Sequence, residues 1–135
     1  MSTALETALY DMLIGDETLL EALPGGVHNT IAPLGTAYPY LVFHVVSGED
    51  DYTFTLRVET IYLVDVRIIG QNSDKASLTA ALDQVDALLT DGALTVGDEP
   101  VWYVRRERRM PDAVDVAGAN TYIQVGATFR IDVGG

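Results

Sequence analysis

The chain has 135 residues, 48% of them hydrophobic, and a formal net charge of −12. This length favours one compact domain, residues 1–135, large enough to bury a core without covalent staples. There is no cysteine, which excludes disulfides, thiolate metal sites and cysteine nucleophiles and is compatible with a reducing cytoplasm. No apolar run reaches the roughly 18 residues of a membrane span and no secretion signal is recognisable, so no membrane association is expected.

The N-terminal part is predicted to be helical. Apolar residues recur at helical intervals from Leu5 to Leu13 and predict an amphipathic helix from about residue 3 to 14. A second short helix, Glu17 to Leu23, is expected to stop at the Pro24-Gly25-Gly26 sequence, because proline and two glycines do not continue a helix.

The next segment is predicted to form strands. Val27 to Ile31 suits a short strand, and the turn-rich stretch Ala32 to Pro39 leads into an apolar strand from Tyr40 to Ser47. Pro39 fixes its own φ and favours an extended Tyr38, so the chain is straight where the apolar strand begins. Gly48 to Leu56 is acidic at its start and predicts a hairpin arm with a mobile tip.

A second long strand, Val58 to Ile69, is followed by a helix. Its even-numbered residues from Tyr62 to Ile68 form an apolar face, and Asp65 and Arg67 mark the other. Ser73 or Asp74 can cap a helix whose apolar stripe runs to Leu89.

The C-terminal third is predicted to return to strands. Ala93 to Val96 is short, Val101 to Met110 is long, and Pro111 to Asn120 is expected to be a loop. The last strand, from Thr121 to Val133, has the cleanest alternation of apolar and polar residues in the chain, which predicts a strand with one buried face. The fold class is therefore α+β, a mostly antiparallel sheet with two main helices packed on one face.

Residue patterns for catalysis are lacking. His28 and His44 have no second histidine or carboxylate at metal-ligand spacing, and the acidic turn Glu49-Asp50-Asp51 lacks the pattern of a calcium loop. Gly25-Gly26 does not precede a helix as a phosphate-binding loop does, and no serine lies in a nucleophile elbow. No catalytic residue, metal site or cofactor is predicted.

Half of the positive charge lies in one strand. Four of the eight basic residues fall between Arg105 and Arg109 with one acid, Glu107, which leaves 4 basic and 19 acidic residues elsewhere, or −15. Phosphates are repelled by such an acidic surface, and four arginines are few for a duplex footprint, so sequence-specific nucleic-acid binding is not expected. Simple alternation would place Arg105, Glu107 and Arg109 on one face and Arg106 and Arg108 on the other.

Two interpretations of these arginines remain open. Charged residues guard solvated edge strands against aggregation. Alternatively Arg105, Arg106, Arg108 and Arg109 bind carboxylates of a neighbouring subunit, since guanidinium groups pair well with acids. Tyr52 and Phe54 in the arm are further candidates for this subunit interface.

The order of these segments resembles the tail-completion and tail-terminator proteins of long-tailed bacteriophages and gene transfer particles. The resemblance covers nearly the whole chain and rests on four segments: the helix at Leu5 to Tyr10, the lead-in and strand at Ala32 to Val46, the Val64 to Ile68 strand with its following helix, and the strand at Tyr122 to Ile131.

The resemblance implies a mechanical, non-enzymatic role. Members of this family form a hexameric ring at the head-proximal end of the tail tube, stop its polymerisation and provide a docking surface for the head. The implied partners are further copies of the chain, the tail tube protein and the head–tail connector. DNA would pass through the lumen without specific binding. The implied location is the virion tail, assembled in the cytoplasm of a bacterial host.

Two alternatives belong to other classes. Another phage neck or tail-tube protein is the nearer one. A small α+β enzyme or ligand-binding domain would need a pocket of convergent polar groups, for which His44, Asp65 and Tyr62 are the candidates.

Overall fold

Three helices and six strands are found in the part of the chain that the computed structural model describes, residues 3–53, 56–91, 94, 96–97 and 101–134. The helices are α1 (Thr3–Ile14), α2 (Glu17–Ala22) and α3 (Lys75–Asp91). The strands are β1 (Val27–Asn29), β2 (Tyr40–Thr53), β3 (Leu56–Gln71), β4 (Val101–Arg109), β5 (Ala113–Ala117) and β6 (Asn120–Gly134).

The strands form one sheet in the order β1-β2-β3-β6-β4, with β5 also paired to β6. Only β1 and β2 run parallel, and the other described pairings are antiparallel. The predicted class, α+β with a mostly antiparallel sheet, is confirmed. Because β3 and β6 are the central strands, β4 and β5 lie along one side of the sheet and β1 along the other.

One face of the sheet is buried beneath the helices. α1 lies over β1, while α3 crosses β3, β6 and β4. The predicted alternation of the last strand is confirmed, because every second residue from Val125 to Val133 is buried. Buried residues of the helices and of β2 and β3 complete this core: Leu5, Leu9, Leu13, Leu41, Phe43, Val45, Val64, Val66, Ile68, Leu78, Leu82, Val85 and Leu89.

Local sequence sets the ends of several elements. Asp74, one of the two predicted caps, accepts a hydrogen bond from the Ala76 N–H on Oδ1 at 3.1 Å and so begins α3. β1 ends at Asn29, earlier than predicted, where Thr30 has a positive φ of 70°. β2 continues past Ser47 to Thr53, and the ring of Tyr62 packs across Gly48, where a Cβ atom would lie 2.9 Å from it.

The prediction of a loop from Pro111 to Asn120 is wrong, since this segment contains strand β5. Pro111 and Gly118 favour a loop, but both lie outside the strand, and the β-branched residues Val114 and Val116 between them favour a strand. Gly118, with a φ of +63°, supplies the turn that returns the chain into β6.

The short strand predicted at Ala93 to Val96 falls partly outside the described residues. Leu94 and Val96 are described, and both are buried. Among the described helices, none has the length and apolar character that crossing a bilayer requires.

Candidate assembly surface

The arginine-rich strand β4 is a described edge of the sheet, hydrogen-bonded to β6 on one side. A β-bulge between Arg106 and Arg108 changes the alternation along it. Arg105 lies opposite Arg130 on the open face of the sheet, and Arg106 lies opposite Phe129 on the helix-covered face. Beyond the bulge Arg108 is opposite Thr128, on the open face, and Arg109 is opposite Ala127. The simple alternation expected from the sequence is therefore wrong.

Arg106 binds helix α3. Its guanidinium lies 3.3 Å from Asp83 Oδ1 and 3.8 Å from Asp86 Oδ2, and its side chain is only 27% exposed. Asp83 and Asp86 are one helical turn apart, so a single guanidinium spans both carboxylates. This arginine fastens the outermost strand to the helix that covers it.

Arg105 belongs to a charge cluster on the open face. Its Nη2 lies 3.1 Å from Glu107 Oε2, and the other oxygen of that carboxylate lies 4.0 Å from Arg130. Arg130 in turn donates from Nε and Nη2 to Asp132, at 2.8 and 3.1 Å. Both guanidinium groups lie over the ring of Tyr103, at 5.5 and 5.9 Å from its centroid. The positive charges of this cluster have acidic partners within the same chain.

Arg108 and Arg109 make no ion pair with the described residues. Arg108 lines a groove on the open face together with Val46, Leu63, Asp65, Glu107 and Thr128. Arg109 lines a second groove beside the start of α3, where Lys75 pairs with Asp112 at 2.6 Å. Of the four predicted interface arginines, these two have guanidinium groups that remain available to a partner.

The other predicted interface residues lie in the β2–β3 hairpin. The backbone of Tyr52 pairs with Arg57, and this pairing continues the hairpin to Thr53 and Leu56. Phe54 lies outside the described residues, as does the side chain of Tyr52. The predicted role of both residues in a subunit interface stays a prediction.

The histidines and the candidate pocket have ordinary structural surroundings. His44 Nδ1 is 3.0 Å from Thr30 Oγ1, and His44 lines a small hollow with Asp65 and Arg67 on the open face. Asp65 accepts a hydrogen bond from Thr128 Oγ1 at 2.9 Å. Tyr62 packs against the core instead, so the structure does not bring the three candidate pocket residues together. Within the described ranges, no group of three or more metal-ligating side chains is found.

An aromatic cluster supports the lead-in to β2. Tyr38 contacts the rings of Tyr40 and Tyr122, at 5.3 and 5.7 Å between centroids, and His28 meets Tyr40 edge-on at 6.0 Å. Burial, and secondly the neighbouring Tyr38 phenol, raises the pKa of Tyr40 above its usual 10.0. The cluster holds the turn-rich stretch against the end of the sheet.

Sequence reasoning missed several exposed apolar side chains. Leu34 is fully exposed at the tip of a turn, Trp102 is exposed on β4, and Val114 and Val116 are exposed on β5. The two β-branched valines on either side of Asp115 are a signal for a strand at the last two, whereas nothing in the residue pattern singles out Leu34.

A family comparison places this chain among phage tail proteins. The sequence profile of the family described as "Tail completion protein gp17" matches residues 7–113. The chain belongs to this family, as the segment order suggested, and it is therefore a structural protein of the phage-tail class. No curated protein matches the chain.

Two solved structures are similar in fold. A chain from the "Virion of native gene transfer agent (GTA) particle" superimposes with a TM-score of 0.77 at 18% identity, covering 97% of this chain and 95% of that one. A second structure gives a TM-score of 0.55 at 15% identity over 97% of this chain and 96% of its own. At these identities the similarity establishes the common fold.

Proposed function

We propose that this protein is the ring subunit that completes a phage tail. Six copies of the chain, the number that the resemblance implies, close a ring at the head-proximal end of the tube. The ring stops tube polymerisation and gives the head its docking surface. The observation that carries this proposal is the match of the tail completion family over residues 7–113.

The fold comparison supports the same role. The similar chain comes from a gene transfer agent virion and matches this chain over nearly its full length. We infer that this chain likewise acts in the virion tail, after assembly in the host cytoplasm, with the tail tube and the head–tail connector as its partners.

The surface of the chain suits a mechanical role. The net charge of −12 disfavours tight binding of DNA, which has to slide through a tail without adhering. Several residues that line the grooves of the open face already pair with one another, such as Asp65 with Thr128 and Arg67. We therefore propose that the protein has no enzymatic activity and no cofactor.

Removing the chain from its particle tests the proposal. Without it, tails examined by electron microscopy should be longer than normal and lack heads, and purified protein added during tube growth should restore the normal length. Tails of normal length without heads would instead favour a neck protein. Loss of the tube itself would favour a tube protein, and normal tails with heads would contradict every form of the proposal.

Solution mass gives a second measurement. Six copies of the 14.6 kDa chain are expected in the complex with tail tubes, whether or not the free protein is monomeric. A closed twofold dimer within assembled tails would contradict the ring.

A further inference from the structure

The sheet has free backbone edges on both sides, and the two edges differ in charge. β1 covers β2 only from Leu41 to Phe43, so the outer side of β2 from Val45 to Thr53 has no strand partner among the described residues. On the opposite side of the sheet, β4 pairs with β6 and with no other described strand. Unpaired strand edges are surfaces on which another strand can add.

The free part of β2 is acidic and β4 is basic. Val45 to Thr53 contains three acids, Glu49, Asp50 and Asp51, and no lysine or arginine, for a net charge of −3. β4 contains four arginines and one glutamate, for a net charge of +3. Each segment is nine residues long.

These charges select which edges can meet. Two copies of β4 would bring arginines together, and two copies of β2 would bring carboxylates together, so pairing of like edges is disfavoured. Pairing of β2 with β4 is attractive. A contact between two different surfaces of one chain is heterologous, and heterologous contacts generate rings when the rotation closes.

The direction of the strands and the faces of the arginines fit such a contact. β2 and β4 point in opposite directions in the sheet, since β2–β3, β3–β6 and β6–β4 are all antiparallel. A neighbouring copy in the same orientation therefore presents an antiparallel β2 to β4. Directly opposite residues of antiparallel strands share a face. Arg108 and Arg109 lie opposite Thr128 and Ala127, on the two faces of the sheet. In the backbone register of β2, Asp50 and Asp51 occupy successive positions of the ladder with β3.

The register of the sheet fixes the offset between copies. Arg108 lies in one row with Thr128 and Asp65, on the open face, and Arg109 lies in the row of Ala127 and Val66, on the helix-covered face. In the backbone register Asp51 pairs with Glu59 and Asp50 with Thr60. Six residue steps along β3 separate Asp65 from Glu59 and Val66 from Thr60, or about 20 Å, and this offset brings Asp51 opposite Arg108 and Asp50 opposite Arg109. The acids meet Arg108 and Arg109 only if each copy is displaced by this distance along the strands. Over the width of four strands, about 19 Å, the displacement inclines the strands by roughly 45°, at the upper end of the inclination typical of closed sheets.

We propose that neighbouring copies of this chain join their sheets edge to edge, with the acidic outer edge of β2, around Glu49 to Asp51, beside Arg108 and Arg109 at the end of β4. This inference rests on the ring proposed above. It identifies the two surfaces through which each copy of the chain contacts its neighbours in that ring. Arg105 and Arg106 stay with their partners in their own chain.

Engineered disulfides test the contact directly, because the chain has no cysteine of its own. Each double variant combines Arg108→Cys with Glu49→Cys, Asp50→Cys or Asp51→Cys. Together the three variants sample neighbouring registers between β2 of one copy and β4 of the next. The control joins Arg108→Cys to Asp11→Cys, an exposed acid of α1. The proteins are assembled on tail tubes and oxidised, and covalent species are then separated by denaturing electrophoresis.

The proposal expects a ladder of covalent oligomers ending in a closed ring for at least one double variant, and monomers for the control and each single variant. Covalent dimers of Arg108→Cys alone would show that like edges meet and would overturn it. The edge contact would also be overturned if all double variants stay monomeric on denaturing gels although they limit tube length normally. That outcome would leave the proposed function intact. If the wild-type chain does not limit tube length, the proposed function fails, while oxidation of the concentrated free protein still tests the edge contact.

A charge exchange supplies a second measurement that does not depend on disulfide geometry. Arg108→Glu with Arg109→Glu should weaken self-association by roughly tenfold or more, and replacing Glu49, Asp50 and Asp51 by lysine should do the same. Introducing both sets in one chain should restore association, as followed by sedimentation with circular dichroism to verify folding. Failure of the combined variant to associate better than either set alone would contradict the contact.

Discussion

At the residue scale, one β-bulge gives four neighbouring arginines different roles. Without it, Arg106 and Arg108 would share a face. With it, Arg106 reaches α3, and Arg108 lies on the open face, where it has no acid partner among the described residues. The bulge could not be predicted, because a run of arginines has no apolar alternation to reveal an extra residue.

Arg106→Ala should destabilise the fold, whereas Arg108→Ala should not. The first change leaves Asp83 and Asp86 without their shared partner and loosens β4 from α3. Since Asp83 is well exposed, we expect a loss of only about 1 kcal/mol in the free energy of unfolding. The matched Arg108→Ala variant should stay within about 0.5 kcal/mol of wild type. Urea denaturation measures both, and equal effects would contradict the separation of roles.

Tyr40 should make stability sensitive to alkaline pH. Its raised pKa means that the unfolded chain loses the phenolic proton first, so this contribution is complete below the usual pKa of 10.0 and is lost as pH rises above it. Tyr40→Phe should therefore lose less stability than wild type between about pH 9 and about pH 11. Tyr10→Phe, a change at an exposed tyrosine, should behave as wild type. Denaturant midpoints at the two pH values provide the comparison.

At the element scale, periodic segments were predictable and irregular ones were not. The helix predicted from about residue 3 to 14 and the buried face of the last strand follow from repeated apolar spacing, and both agree with α1 and β6. β5 was not predicted, because Pro111 and Gly118 favour a loop and the short segment Ala113–Ala117 has no alternation of apolar and polar residues. The pairing of β5 with β6 supplies tertiary hydrogen bonds that a local pattern does not contain.

The candidate surface was only partly predictable for the same reason. Composition alone singled out Arg105 to Arg109, but which guanidinium groups have partners depends on α3 and β6, far away in sequence. The two free sheet edges depend on strand order, which no single segment specifies.

Gly25→Ala should disrupt the connection from α2 to β1. A Cβ atom at Gly25 would lie 1.9 Å from the carbonyl oxygen of Ala37 and 2.7 Å from Tyr40 Cβ, so the backbone has to move. We expect a loss of about 3 kcal/mol. Gly35→Ala is the control: it has a φ of +85° and open space, and should cost about 1 kcal/mol. Thermal unfolding of the two variants measures the loss of stability in each. Equal losses would contradict the prediction, because they would mean that the backbone near Gly25 and Ala37 moves apart at little cost.

At the scale of the whole molecule, the sheet is protected at its centre and open at both sides. β3 and β6 have strand partners on both sides over much of their length, whereas among the described strands β4 and β5 pair with β6 alone. The free protein therefore has its most stable hydrogen bonds in the two central strands, and its strand edges are available for assembly.

Amide hydrogen exchange of the free and assembled protein should show this difference. In the free protein, amides of β3 and β6 between Val64 and Ile68 and between Val125 and Ile131 should exchange slowest, because their exposure requires opening of the core. Exchange should be fast in the acidic part of β2 and at the outward amides of β4 and β5. On tail tubes, the edge contact predicts slower exchange in β2 and β4 together, with β5 little changed. Protection that develops in β5 alone would place the neighbouring subunit on that strand and contradict the contact between β2 and β4.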